Sequence, residues 1–367
     1  MRIFKPEYKM SKTIFGGQTL IEKYSQYLPV SENTPIISLG EGNTPLVQAI
    51  NMPKLLGFPL LQLFFKLEGL NPTGSFKDRG MTLAVTKAVE SKAKAIICAS
   101  TGNTSASAAA FAAKAGLPCY VVLPAGQVAM GKVAQALIYG AQLIEIEGNF
   151  DDALDLVQQI AAESDITLVN STNPYRLEGQ KTAAIEIVEQ LGRAPDFLCI
   201  PVGNAGNICA YWRGFKLCKS MNTATHTPSM FGFEAQGSAA IAGGIPIKNP
   251  QTIATAIRIG NPVNWKEAEI VVEESKGKID FVSDAEILDA YELIAKSEGI
   301  FCEPSSAASI AGLIKDLKNG YIPEQATVTC ILTGNGLKDP NMPMEIGNEK
   351  IPTVQARVDQ LKEVMGL

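Results

Sequence analysis

The chain has 367 residues, of which 46% are hydrophobic and 19% charged, with a formal net charge of −5. That length can bury a large core, in two domains or one large one, and the absence of a basic block argues against a general nucleic-acid surface. The opening MRIFKPEYKMSK has no apolar stretch or small-residue cleavage pattern, and no apolar run approaches the roughly 20 residues of a membrane span; a cytoplasmic protein with no membrane contact is expected.

Residues 1–55 show no clear period; beyond them, apolar runs alternate with helical patterns. QLFFKLE (62–68) reads as a strand, followed by the loop NPTGS and a helix from about Phe76 to Glu90, with Met81, Ala84, Val85 and Ala88 on one side. AIICA (95–99) is a strand, STGNTS a loop, and an alanine-rich helix then runs to Gly116. CYVVL (119–123) is a strand, a helix near 131–139 is closed by Gly140, and QLIEI (142–146) is again a strand. Asp151 is the expected cap of a helix carrying Leu154, Val157 and Ile160. ITLVN (166–170) is a strand, and 180–191 is a helix with Ala184, Ile187, Val188 and Leu191, stopped by Gly192. DFLCIPV (196–202) leads into a glycine loop and a helix, and 222–280 is irregular. Ser283 and Glu286 then make a capping box for a helix over 284–298, and TVTCIL (327–332) is the last clear strand. Strands alternating with helices predict an α/β fold, a mostly parallel sheet covered on both faces.

The single histidine, His226, lies in the polar stretch NTATHTPS, so histidine metal sites and Ser-His-Asp triads are not expected and no metal is implied. The seven cysteines form no CxxC pair, and Cys98, Cys119, Cys199 and Cys330 fall in predicted strands; reduced core thiols are the reading.

Five polar loops each follow a predicted strand: NPTGSFK, STGNTS, NSTNPYR, GNAGN and TGNG. In open α/β sheets ligands bind beyond the carboxyl ends of the strands, so these loops are expected to share one crevice, although each alone is also an ordinary turn. GNAGN (203–207) can turn backbone N–H groups toward an anion at a helix start. Without the lysine of a P-loop or a GxGxxG fingerprint, it suits a small monophosphate better than a triphosphate. Lys77 stands in the first turn of its helix, where the dipole disfavours a cation, with Arg79 nearby; Ser75 can cap this helix and Asp78 can offset its dipole. Burial and positive neighbours make such an amine nucleophilic, which suits Schiff-base formation with an aldehyde. A lysine, a monophosphate cup and crevice amides together suggest pyridoxal phosphate.

SFKDRG, STGNTSAS, GNAGN, EPSSAAS near 303 and TGNGLKDP resemble the fold-type II pyridoxal-phosphate enzymes, and among them the short, bacterial-type threonine synthases, over roughly residues 35–345. The resemblance implies two doubly wound, open parallel-sheet domains: a smaller mobile one over 74–165, and a larger one from 1–73 and 166–367. It makes Lys77 the catalytic, cofactor-bearing lysine and places Phe76 beside the cofactor ring. It places Asn103 on the phenolic oxygen, Gly203, Asn204, Ala205, Gly206 and Asn207 around the cofactor phosphate, and Thr333 at the pyridine nitrogen. Ser100, Thr101 and Thr104 would bind the substrate carboxylate, and Ser171, Arg176 and Asn204 its phosphate. The substrate implied is O-phospho-L-homoserine, converted with water to L-threonine and phosphate by a homodimer. Without the long N-terminal region of the plant enzymes, activation by S-adenosylmethionine is not implied. Two alternatives stay open on the residues alone: a threonine or serine dehydratase on the same fold, and a non-catalytic sensor of a phosphorylated metabolite.

Overall fold

The computed structural model describes residues 17–126, 130–343 and 352–367. The strands are β1 (Leu46–Gln48), β2 (Gln62–Leu67), β3 (Ala95–Ala99), β4 (Cys119–Pro124), β5 (Gln142–Ile146), β6 (Ile166–Leu168), β7 (Phe197–Pro201), β8 (Ser229–Ala235), β9 (Lys278–Val282) and β10 (Thr327–Leu332). The α-helices among the described residues are α1 (Leu20–Lys23), α2 (Met52–Leu55), α3 (Lys77–Glu90), α4 (Asn103–Ala115), α5 (Met130–Ile138), α6 (Phe150–Glu163), α7 (Pro174–Gln180), α8 (Thr182–Leu191), α9 (Gly206–Ser220), α10 (Trp265–Ser275), α11 (Asp284–Glu298), α12 (Pro304–Lys318) and α13 (Val358–Met365).

Two sheets result. A six-stranded sheet runs β1-β2-β10-β7-β8-β9, parallel except for the edge strand β1, and a four-stranded parallel sheet runs β5-β4-β3-β6. Strand alternation feeds a core on each face of both. Leu198, Ile200 and Ile331 pack on one side of the large sheet, with Tyr211 and Phe215 of α9; Cys199, Cys330, Val328 and Leu332 pack on the other, with Ile310 and Leu313 of α12. In the small sheet Ile96, Cys98, Val121 and Leu123 face Phe111 of α4, and Ile97, Ala99 and Val122 face Ala153 and Val157 of α6. All seven cysteines are buried and unpaired, as core thiols.

Several local expectations change. Asn149, not Asp151, caps α6: its side chain accepts from the N–H groups of Asp151 and Asp152, and Asp152 returns the bond to complete a capping box. The helix expected over 180–191 is α8, and a separate helix, α7, capped by Asn173 with Pro174 at its first position, comes just before it. Regular elements β1, β8, α10 and β9 occupy stretches that looked irregular. The smaller sheet takes in Ile166–Leu168, which pair with Ala95–Ile97 just beyond the boundary expected at 165.

Candidate active site

Parallel neighbours put their carboxyl ends on one edge, and this places the loops. β2, β10 and β7 are adjacent in the large sheet, so NPTGSFK, TGNG and GNAGN emerge side by side; β3 and β6 are adjacent in the small sheet, so STGNTS and NSTNPYR do the same. Ser75 forms a β-bridge with Gly334, and the Asn335 N–H donates to the Gly74 carbonyl at 2.9 Å. The two groups meet where Asn103 Nδ2 donates to Glu303 Oε2 at 3.0 Å.

Lys77 opens α3. Its N-cap is Phe76, which makes no side-chain cap; Ser75 contributes only a long contact, its Oγ accepting from the Lys77 N–H at 3.4 Å. The Phe76 N–H is held by the Thr333 carbonyl at 2.9 Å, and the Lys77 amine sits 4.1 Å from the centre of the Phe76 ring. Burial, and then the positive charge of Arg176, push this amine down to about 7, against the opposing pull of Glu303. Such an amine is substantially neutral, and therefore nucleophilic, near neutral pH.

Arg79 is not the positive neighbour that does this. It is fully buried, with its guanidinium on Glu68 (Nε–Oε2 2.7 Å) and on Glu186 (Nη2–Oε2 2.7 Å), and Lys66 joins Glu186 at 3.0 Å. Two cations and two carboxylates thus close a buried, mutually compensated cluster that ties the start of α3 to β2 and α8. Asp78 is buried too; rather than facing the helix dipole it accepts from the Thr73 N–H (2.7 Å), the Thr73 hydroxyl (2.6 Å) and the Ser107 hydroxyl (2.6 Å), which fixes the NPTGS turn against α4.

Arg176 is almost entirely buried on α7, its Nη1 donating to the Val169 carbonyl at 2.8 Å while its Nε has no partner. α7 lies tight on α3: a β-carbon on Gly80 would fall 2.7 Å from Arg176 Nε, and one on Gly179 2.0 Å from the Arg79 carbonyl oxygen. Only glycines allow this approach, and it is what brings Arg176 beside Lys77. Ser171, half-buried, stands in the turn before α7. On the other side, Ser100, Thr101 and Thr104 are half-buried at the start of α4, with the Ser100 hydroxyl accepting from the Gly102 N–H at 3.1 Å.

In the cup, Ala205 takes a left-handed conformation (φ 61°) and α9 starts at Gly206. Gly203 lies against Ile257, where a β-carbon would come within 3.1 Å of the backbone, and the neighbouring Ala256 N–H bonds Ser305 Oγ at 3.0 Å. Asn204 is anchored by its carbonyl, which accepts from Asn264 Nδ2 at 3.0 Å. Asn207, in the first turn of α9, is buried with neither amide atom partnered. Orphaned buried amide atoms beside a helix N-terminus call for a polar ligand. With the depressed lysine, these residues fit pyridoxal phosphate.

Glu303 is a further residue of the site, unmarked by any of the five loop motifs. It is buried at the start of α12, accepts from Asn103 Nδ2 and from the Thr333 hydroxyl (3.3 Å), and is the carboxylate acting on the Lys77 amine. A Glu before Pro reads as a helix cap, and only the meeting of the two loop groups shows it as part of the site. His226 is a loop residue near Asp196, away from all of this. Among the described residues no cluster of His, Cys, Asp and Glu could hold a metal.

Residues 37–334 match the model of the family described as "Pyridoxal-phosphate dependent enzyme", and the chain belongs to that family. Its cofactor is pyridoxal phosphate. The chain is 57% identical over 348 residues to the threonine synthase of Synechocystis sp. (95% of this chain, 90% of the relative). It is 58% identical over 345 residues to that of Bacillus sp. (94% and 97%). Among solved structures, maize serine racemase superposes with a TM-score of 0.71 at 22% identity, covering 83% of this chain and 92% of that one, a likeness of fold.

Proposed function

We propose that the chain is a threonine synthase, a pyridoxal-phosphate-dependent lyase that converts O-phospho-L-homoserine and water to L-threonine and phosphate. The observation that carries this is the buried, incompletely satisfied Arg176 guanidinium beside the depressed Lys77 amine. A dehydratase needs no second anion site there, and a sensor needs no nucleophilic amine.

Bound between Asn103, Thr333 and the 203–207 cup, the cofactor supplies the electron sink that lets carbon–hydrogen bonds near the substrate's amino group break. The Lys77 amine, freed when substrate takes its place, removes the Cα proton and then a β proton, and returns a proton at Cγ once phosphate has left. Each proton transfer by one positioned base typically contributes about 10²–10⁴-fold. Arg176, Ser171 and Asn204 hold the leaving phosphate, with the guanidinium fork suited to two of its oxygens. Ser100, Thr101 and Thr104 hold the α-carboxylate at the α4 N-terminus. Asn103 donates to the phenolic oxygen without titrating, Thr333 meets the pyridine nitrogen, and Phe76 flanks the ring. Water adds at Cβ, giving its proton to the released phosphate, and the Lys77 amine returns its remaining proton to Cα to complete threonine.

The part built on the small sheet closes over the substrate against the part built on the large one. The protein works as a cytoplasmic homodimer, as the family resemblance implies; among the described residues no helix is long and apolar enough to cross a membrane. Lys77→Ala is the test: threonine formation should be lost, and substantial turnover without an added amine would sink the assignment.

A further inference from the structure

The two ends of the proposed substrate lie on two separate loops, 100–104 after β3 and 171–176 after β6. One buried side chain joins them. β6 pairs with β3 only as far as Leu168 opposite Ile97, and the main chain makes one more bond, from the Val169 N–H to the Ile97 carbonyl at 3.0 Å. At the next register the Asn170 side chain replaces the missing strand. Its Oδ1 accepts from the Ala99 N–H at 2.9 Å, and its Nδ2 donates to the Ala99 carbonyl at 2.9 Å. A primary amide is the side chain that can satisfy both groups of one residue in this way. Asn170 is only 6% exposed, so water does not compete for these bonds.

What lies on either side gives the pairing its consequence. Ala99 precedes Ser100, whose own N–H is held from the other flank by the Val122 carbonyl at 3.2 Å. Asn170 precedes Ser171, and its carbonyl accepts from the Asn173 N–H at 3.0 Å, closing the turn that starts α7. Asn173 in turn caps α7 through its Oδ1 and holds the Leu168 carbonyl with its Nδ2 at 2.8 Å. One path from the carboxylate loop to Arg176 therefore runs through this amide, alongside the main-chain bond between Val169 and Ile97.

We propose that Asn170 is a positioning residue that holds the carboxylate-binding loop and the phosphate-binding arm at one fixed separation, matched to an amino acid with its phosphate on Cγ. It touches neither end of the substrate. It acts through Ala99 on one side and the 170–173 turn on the other, and it rests on the threonine synthase reading. Fixing two half-sites favours a ligand that spans both far more than a ligand that fills one. A displacement of 1 Å between them costs such a ligand about 10²-fold.

The test uses holoenzyme and the variants Asn170→Ala and Asn170→Asp. Asp keeps the acceptor for the Ala99 N–H and loses the donor to its carbonyl, so it serves if the alanine variant folds poorly. Calorimetric affinities for L-2-aminobutyrate (amino and carboxylate groups only) and for inorganic phosphate read each half-site. Steady-state kinetics with O-phospho-L-homoserine read the spanning ligand. Expected is a loss in kcat/KM of about 10–100-fold, with each half-ligand weakened less than about 3-fold and the melting temperature and cofactor absorbance of the holoenzyme retained. A kcat/KM within about 3-fold of wild type, or half-ligands weakened as much as the substrate, would overturn the proposal. Wild-type protein that forms no threonine would overturn the reading beneath it, and the proposal with it.

Discussion

Gly179→Ala tests whether the spacing of α3 and α7 sets the site. The added methyl would lie 2.0 Å from the Arg79 carbonyl oxygen, where a β-carbon essentially never comes closer than 3.0 Å. The contact is backbone, so no side chain can swing aside, and the helices must part by about 1 Å. Arg176 lies one turn before Gly179 and Lys77 just before Arg79, so the strain separates the guanidinium from the amine. Overpacking of this kind costs about 1–3 kcal/mol. For a chain of 367 residues that lowers Tm by only about 1–4 °C, taking roughly 2 cal/mol/K of unfolding entropy per residue. A misplacement of about 1 Å costs about 10²-fold in rate. The variant should therefore melt almost normally by calorimetry while kcat/KM for threonine formation falls about 30–100-fold. An unchanged kcat/KM, or a loss of activity no greater than the loss of folded protein, would refute the reasoning.

The remaining expectations concern charge. Burial and Arg176 hold the Lys77 amine down to about 7, so its neutral form gains as pH rises through 7; attachment of pyridoxal phosphate to apo-protein, followed by absorbance, should speed up there and level off. Arg176→Ala should move that step upward, and a wild-type step near 10, the ordinary lysine range, would contradict the assigned burial. The same variant should lose about 10²-fold or more in threonine formation, with a raised KM for O-phospho-L-homoserine; retained dehydratase activity would favour the rival enzyme. Glu186→Gln leaves Arg79 and Lys66 short of a counter-charge and should cost about 3–5 kcal/mol, or about 4–7 °C in Tm. Its cations hold the Glu186 carboxyl well below the usual range, so its stabilising effect is fully present above the unfolded carboxyl pKa, about 4.5, and is lost as pH falls through the lower folded value. The gap to wild type should therefore persist from pH 6 to 8 and narrow only in strong acid, as thermal melts across pH would read.

The sequence was legible where burial is complete and termini are chemically marked. β3, β4 and β10 are buried apolar runs ending in polar loops, and α11 carries its own capping box, Ser283 with Glu286. β8 escaped because SMFGFEA sits in a polar, irregular neighbourhood, and its Glu234 breaks the apolar run. That carboxylate is buried on the N–H groups of Ile241 and Ala242, seven and eight residues further on, a pairing that matches no helix, strand or cap period. β1 is a three-residue edge strand, and β9 is partly exposed at the opposite edge, where packing selects side chains weakly. Candidate site residues tied to loop motifs could be picked out from the chain alone. Glu303 and Asn170 could not, because their hydrogen bonds are to residues distant in sequence, and the motif that sets Arg79 beside Lys77 does not show the two carboxylates that hold it.

The most direct test of the whole reading is product analysis. Purified protein with pyridoxal phosphate and O-phospho-L-homoserine would be assayed for phosphate, threonine and 2-oxobutyrate in the same samples. Expected are phosphate and threonine in equal amounts, with little 2-oxobutyrate. No phosphate release from that substrate, with 2-oxobutyrate formed from threonine instead, would contradict it, and the role assigned to Arg176 would fall at the same time.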